Sequence, residues 1–167
     1  PSSWALCNGT FGHTYGHHSI WQFYSPERQP VNRPLMIWEE ALEAPGARQL
    51  GLAKRLFEER AFFARIPAPD ILVPSNPKSL VPGAGMRRFA ATRDRDGTFA
   101  MVYVPIGCPF TVDFSCIRSD RIRLAWYDPR TGEEQNRHVV ANEGCRTVVP
   151  PSVGELLDWV LVADADR

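Results

Sequence analysis

Five of the fifteen prolines in this 167-residue chain fall between residues 66 and 82, at Pro67, Pro69, Pro74, Pro77 and Pro82. Each fixes φ and removes a backbone donor, so neither a long helix nor a central strand can run through the segment. It reads as an extended connector and as the domain boundary. The hydrophobic pattern changes character across it. Before it, Leu50, Ala53, Leu56 and Phe57 recur at i, i+3, i+6 and i+7, the stripe of an amphipathic helix from Ala47 to Arg60 with Pro45 near its first turn. Met36 to Leu42 predicts a shorter helix. After it, apolar residues alternate. Residues 87–92 and 99–104 flank Asp94-Arg95-Asp96-Gly97, the signature of a hairpin with an Asp-Gly turn. Runs at 110–114, 122–127, 137–140, 146–149 and 159–162 supply five more strands, with Pro129 marking the corner after Tyr127. Seven short strands with frequent turn signals predict an all-β antiparallel sandwich, so the chain as a whole reads as α+β.

Composition narrows the function classes. Hydrophobic content is 44% and charge is balanced at 19 against 19, which favours a packed core and argues against a nucleic-acid binder. No apolar run approaches the ~20 residues of a membrane span. The four cysteines, at 7, 108, 116 and 145, contain no CxxC, which excludes a zinc ribbon. Cys7 and Cys116 lie in apolar runs and read as buried hydrophobes. Cys108 and Cys145, each beside a glycine, are free to pair in an oxidising compartment. Pro1 opens the chain with no charged-then-apolar leader behind it, which reads as a start in mid-domain. No cofactor is expected.

The densest chemistry lies in Gly9 to Trp21. This stretch holds three of the four histidines, three of the twelve glycines and the aromatics Phe11, Tyr15 and Trp21. Trp4 to Cys7, just before it, reads as a buried strand. A strand that ends in such a loop is where α/β folds place ligands. His13, Tyr15, His17, His18 and Trp21 are therefore the candidate substrate contacts. Tyrosine and tryptophan stack on the apolar face of a sugar, and histidine donates to its hydroxyls. The competing reading is that these residues only pack the loop. His13 and His17 have the i, i+4 spacing of a helical metal pair, but Gly12 and Gly16 oppose a helix, and no metal is expected. Glu39-Glu40 and Glu58-Glu59 read as solvated helix faces, since a retaining glycosidase needs carboxyls ~5 Å apart across a cleft. Asp94 and Asp96 begin like a calcium loop but lack its closing acid. Arg118, Arg121, Arg123 and Arg130 read as the wet face of the strands.

The loop Gly12 to Trp21, the helix start Pro45-Gly46-Ala47-Arg48-Gln49-Leu50, the segments 94–103 and 126–132 and the ending Asp158 to Val162 follow one another in an order that resembles the C-terminal third of apiosidase-like glycoside hydrolases. The resemblance covers nearly the whole chain. It implies a (β/α)8 barrel followed by a small β-sandwich described as a collagen-binding domain of a collagenase. Residues 1–65 would be the last barrel strand with its covering helices, 66–82 a linker and 83–167 the sandwich. The implied partners are a carbohydrate substrate and the remainder of the barrel, as another chain or as missing sequence; no nucleic acid and no membrane are implied. The implied location is secreted or periplasmic. The family's catalytic acid and nucleophile lie on earlier strands and match nothing here, so the chain alone is expected not to hydrolyse glycosides. The helical stripe, with Phe62 and Phe63, is then expected to rest on polypeptide absent from this sequence, and the sandwich to be the independently stable unit. The alternative is a non-catalytic module adhering to collagen or polysaccharide, which requires an exposed row of aromatics drawn from Tyr103, Trp126, Tyr127 and Trp159.

Overall fold

The computed structural model describes residues 2–74, 85–155 and 157–166. Its helices are α1 (Ser2–Cys7), α2 (His18–Trp21), α3 (Trp38–Leu42) and α4 (Pro45–Glu58). Its strands are β1 (Arg65–Pro67), β2 (Leu72–Val73), β3 (Ala90–Asp94), β4 (Phe99–Val104), β5 (Phe110–Asp113), β6 (Arg121–Tyr127), β7 (Glu134–Ala141), β8 (Cys145–Val148) and β9 (Trp159–Ala165). All seven predicted strands are present. They form a six-stranded sheet in the order β1-β3-β4-β9-β6-β7 and a three-stranded sheet in the order β2-β5-β8, and every pairing is antiparallel.

Every residue of β4 is buried. A strand alternates its side chains, so burial along its whole length means that both faces of the sheet are covered. Ala100, Val102 and Val104 of β4 join Leu124 and Trp126 of β6, Leu161 of β9 and Phe110 and Val112 of β5 in the core between the two sheets. Phe99, Met101 and Tyr103 point the other way and meet Leu6, Cys7, Leu56 and Phe57 of α1 and α4. The molecule therefore has three layers: helices, large sheet, small sheet. The hairpin turn is held by Asp94, whose carboxylate accepts from Thr98 N at 2.7 Å, Thr98 Oγ1 at 2.7 Å and Phe99 N at 3.2 Å. That leaves the Asp94 oxygens committed to the turn rather than to a cation.

Three expectations are corrected. Trp4 to Cys7 is not a strand but most of α1. A strand needs a ladder partner and none is present before residue 65 among the described residues, whereas a helix closes its own hydrogen bonds. Second, the front of the proline-rich connector is structure: β1 pairs with β3 and β2 with β5, each at a sheet edge, where a missing N–H costs nothing. Residues 75–82 lie outside the described residues. Third, the stripe of α4 does not rest wholly on absent polypeptide: Leu56 and Phe57 pack on the outer face of the large sheet, while Leu50 stays half-buried. The layer is also tied by polar bonds. Arg60 donates through Nε and Nη2 to the two oxygens of Asp164 on β9, both at 2.9 Å, and Tyr127 Oη donates to the Leu52 carbonyl at 3.1 Å. Phe11, Leu35 and Phe63, 85%, 93% and 84% exposed, are among the apolar side chains this floor does not reach.

Candidate functional site

Residues 10–17 run as loop along the N-terminal half of α4 and divide two hollows. Gly9 makes the turn out of α1 at φ +88°, with Pro67 so near that a Cβ there would sit 2.9 Å from its ring. His13 borders both hollows. The larger, about 970 Å³, is mainly apolar and lies between Phe11, Phe62, Phe63 and the α4 residues Leu50, Lys54 and Phe57. The smaller, about 450 Å³, is the more polar of the two. Thr14 and Tyr15 form one wall, and Tyr103, Arg130 and Asp158 of the sandwich form the other. Tyr15 lies directly on Gly46 at the start of α4, its ring 2.7 Å from where a Cβ would stand, so the close approach depends on glycine.

The second half of the motif is built differently. His17 caps α2, its Nδ1 accepting from Ser19 N at 3.3 Å. Trp21 Nε1 donates to His18 Nδ1 at 2.9 Å, and His18 Nε2 lies 2.6 Å from the Val31 carbonyl. Indole nitrogen is donor only and a carbonyl acceptor only, so these two bonds select the neutral imidazole with its proton on Nε2. The Trp21 ring is thereby fixed by its edge while 60% of the residue stays in solvent. The five predicted contacts are thus not gathered in one pocket: His13 and Tyr15 line the hollows, while His17, His18 and Trp21 form a separate hydrogen-bonded unit at α2.

Electrostatics limit what the site can do. Each hollow is bordered by one carboxylate, Glu58 in the larger and Asp158 in the smaller. Asp158 accepts from Tyr103 Oη at 3.2 Å; burial first, then the nearby carboxylate, pushes the Tyr103 hydroxyl well above the ordinary tyrosine range. Burial pushes the Cys7 thiol up to about 12 against the opposing pull of Arg65, which leaves it inert as a nucleophile. All four cysteines are free. No cluster able to hold a metal ion occurs among the described residues. Glu39, Glu40, Glu58 and Glu59 are exposed, and Glu58 pairs with Lys54 one turn back, at 3.7 Å. Arg121 and Arg123 pair with Asp166, and Arg130 pairs with Asp128 while lying over the Trp159 ring, 5.5 Å from its centre. Tyr103, Trp126, Tyr127 and Trp159 are all buried, so they form no exposed aromatic row.

Arg130 and Asp158 face the loop from the sandwich, a placement the sequence does not show because more than a hundred residues separate them from it. The one local signal was the Tyr127 to Gly132 turn, specific enough in composition to mark a constrained corner.

Comparison with known proteins adds the following. A model of the family described as "Putative collagen-binding domain of a collagenase" matches residues 66–164, and one described as "Apiosidase-like, catalytic domain" matches residues 2–64. No curated protein matches the chain. Among solved structures, one titled glycoside hydrolase superimposes with a TM-score of 0.89 at 31% identity, covering 99% of this chain and 35% of that one. A glycoside hydrolase family 5 protein from Bacteroides vulgatus superimposes with a TM-score of 0.87 at 27% identity, covering 98% and 34%. The chain spans about a third of the length of these structures.

Proposed function

The chain belongs, through residues 66–164, to the family of the collagenase collagen-binding domain, with an apiosidase-like segment ahead of it in residues 2–64, and from this we propose that it is the C-terminal portion of a carbohydrate-active glycoside hydrolase. In this reading residues 2–64 supply one wall of the sugar cleft and the sandwich braces them. The observation that carries the reading is the seating of α1 and α4 on the outer face of the large sheet, an arrangement that superimposes over 99% of the chain on a much longer glycoside hydrolase. Trp21, held by its indole N–H and mostly in solvent, is the stacking platform. His13 and Tyr15, which line the hollows apart from it, offer further polar groups to the hydroxyl-rich ligand. Phe11 and Phe63, exposed beside the larger hollow, are the natural seat for the rest of the barrel. The catalytic acid and nucleophile belong to that remainder, because neither hollow carries the two facing carboxylates that the reaction needs.

The test is a panel of neutral oligosaccharides titrated against the 167-residue chain and followed by tryptophan fluorescence, alongside an aryl-glycoside turnover assay. Saturable binding without turnover is expected. Trp21→Ala should weaken binding about tenfold, as follows from losing ~50 Å² of ring burial at ~25 cal/mol per Å². Absence of binding across the panel, or turnover that depends on an Asp or Glu of this chain, would overturn the reading.

A further inference from the structure

The most specific unassigned arrangement is the relay Val31 carbonyl, His18, Trp21. Its two bonds are local, yet they join two parts of the chain: His18 and Trp21 are one helical turn apart on α2, and Val31 arrives from the loop that follows. Gln22 locks that arrival, its Oε1 accepting from Val31 N at 2.9 Å and its Nε2 donating to the Val31 carbonyl at 3.1 Å. The acceptor for His18 is therefore held by two further hydrogen bonds and does not drift with the loop. His18 and Trp21 also meet ring to edge, centroids 5.3 Å apart.

We infer that His18 is a positioning residue that holds the Trp21 ring only in its neutral, Nε2-protonated form, so that acid releases the ring. Protonation puts a hydrogen on Nδ1, which then faces the indole N–H donor to donor. The bond that orients Trp21 is replaced by repulsion, while the Nε2 bond to Val31 survives. The charged and titratable groups on the neighbouring elements are His17 on the preceding residue, Tyr24, Glu27, Arg28 and Arg33 on the loop, and Glu39 and Glu40 on α3, and among the described residues none of them forms an ion pair with His18. Nothing on those elements thus supplies the carboxylate that would keep a protonated His18 in place.

The experiment is a pH titration of the full 167-residue chain followed by the Trp21 indole N–H resonance, assigned by its loss in Trp21→Phe, together with the His18 ring signals in the same sample. The indole signal is expected to shift upfield and to exchange faster with water with the same midpoint as His18. In His18→Ala it should sit at the acid-form position at every pH, and in His17→Gln, which removes the neighbouring imidazole, it should titrate as in the parent. An indole signal that ignores His18 protonation, or that still titrates in His18→Ala, overturns the inference. These measurements need no sugar. A second arm rests on the reading of Trp21 as a sugar platform: any oligosaccharide bound at neutral pH should bind about fivefold more weakly once His18 is protonated, the equivalent of one ~1 kcal/mol hydrogen bond. If no sugar binds while the indole follows His18, the proposed function fails and the positioning role stands.

Discussion

Asp128 shows what one side chain does for this molecule. It follows β6 and is almost wholly buried. Its Oδ1 accepts from Arg130 N and Nε, and its Oδ2 from Arg130 Nη2, all at 2.8 Å, which aims the guanidinium across the Trp159 ring. Burial opposes the charge, but the Arg130 bonds outweigh it and hold the carboxyl below the usual carboxylate range. A depressed carboxyl stabilises the fold fully above its unfolded value of ~3.9 and loses that contribution as pH falls through its lower folded value. Asp128→Asn should therefore cost about 1 kcal/mol at neutral pH, below the ~1.5–3 kcal/mol of buried charged hydrogen bonds because Arg130 is partly in water. The cost should shrink as acid removes the parent's advantage. Urea midpoints measured from pH 7 to pH 3 check this; a penalty that stays constant with pH would assign the effect to shape rather than charge.

At the scale of elements, the α4 layer is the informative contact. Leu56 and Phe57 bury apolar area, and Arg60 and Tyr127 fix where the helix sits. The Tyr127 hydroxyl donates to the Leu52 carbonyl in mid-helix, an acceptor already used within the helix, so its loss frees no buried orphan. Tyr127→Phe should cost about 1 kcal/mol and speed amide exchange in α4 about fivefold, while the β4 and β9 amides slow or speed only with global stability. Equal acceleration in the helix and in both strands would mean that α4 never opens by itself.

For the whole molecule, the layers decide which piece can stand alone. A fragment of residues 83–167 loses β1 and β2 from the two sheet edges and exposes Phe99, Met101, Tyr103, Val160 and Val162. Each large apolar side chain left wet forgoes ~1.5–3 kcal/mol. Five of them match the ~5–15 kcal/mol net stability of an ordinary domain. That fragment is expected to self-associate or to melt without cooperativity, whereas the full chain gives one transition. Circular dichroism melts with sedimentation velocity test it, and a monomeric 83–167 with a sharp transition would show that the helix layer is dispensable. This reverses the expectation drawn from the strand pattern alone.

The strands were legible because their signal is local: alternation and turn residues such as Asp94 to Gly97 bias the chain within a few residues, whatever lies around it. Phe99 to Val104 even hinted at two covered faces, being apolar throughout. Trp4 to Cys7 was not legible, since four apolar residues fit a strand or a helix equally and only the presence of a ladder partner separates them. Nor was the role of Pro67 beside Thr92, where an edge position makes the missing donor harmless. The candidate site divides the same way. Its residue types stand together in Gly9 to Trp21, and the spacing of His18 and Trp21 is one helical turn. The tautomer of His18 and the polar wall from Arg130 and Asp158 depended on segments that only folding brings there, because hydrogen-bond partners are chosen by distance in space and the sequence records distance along the chain.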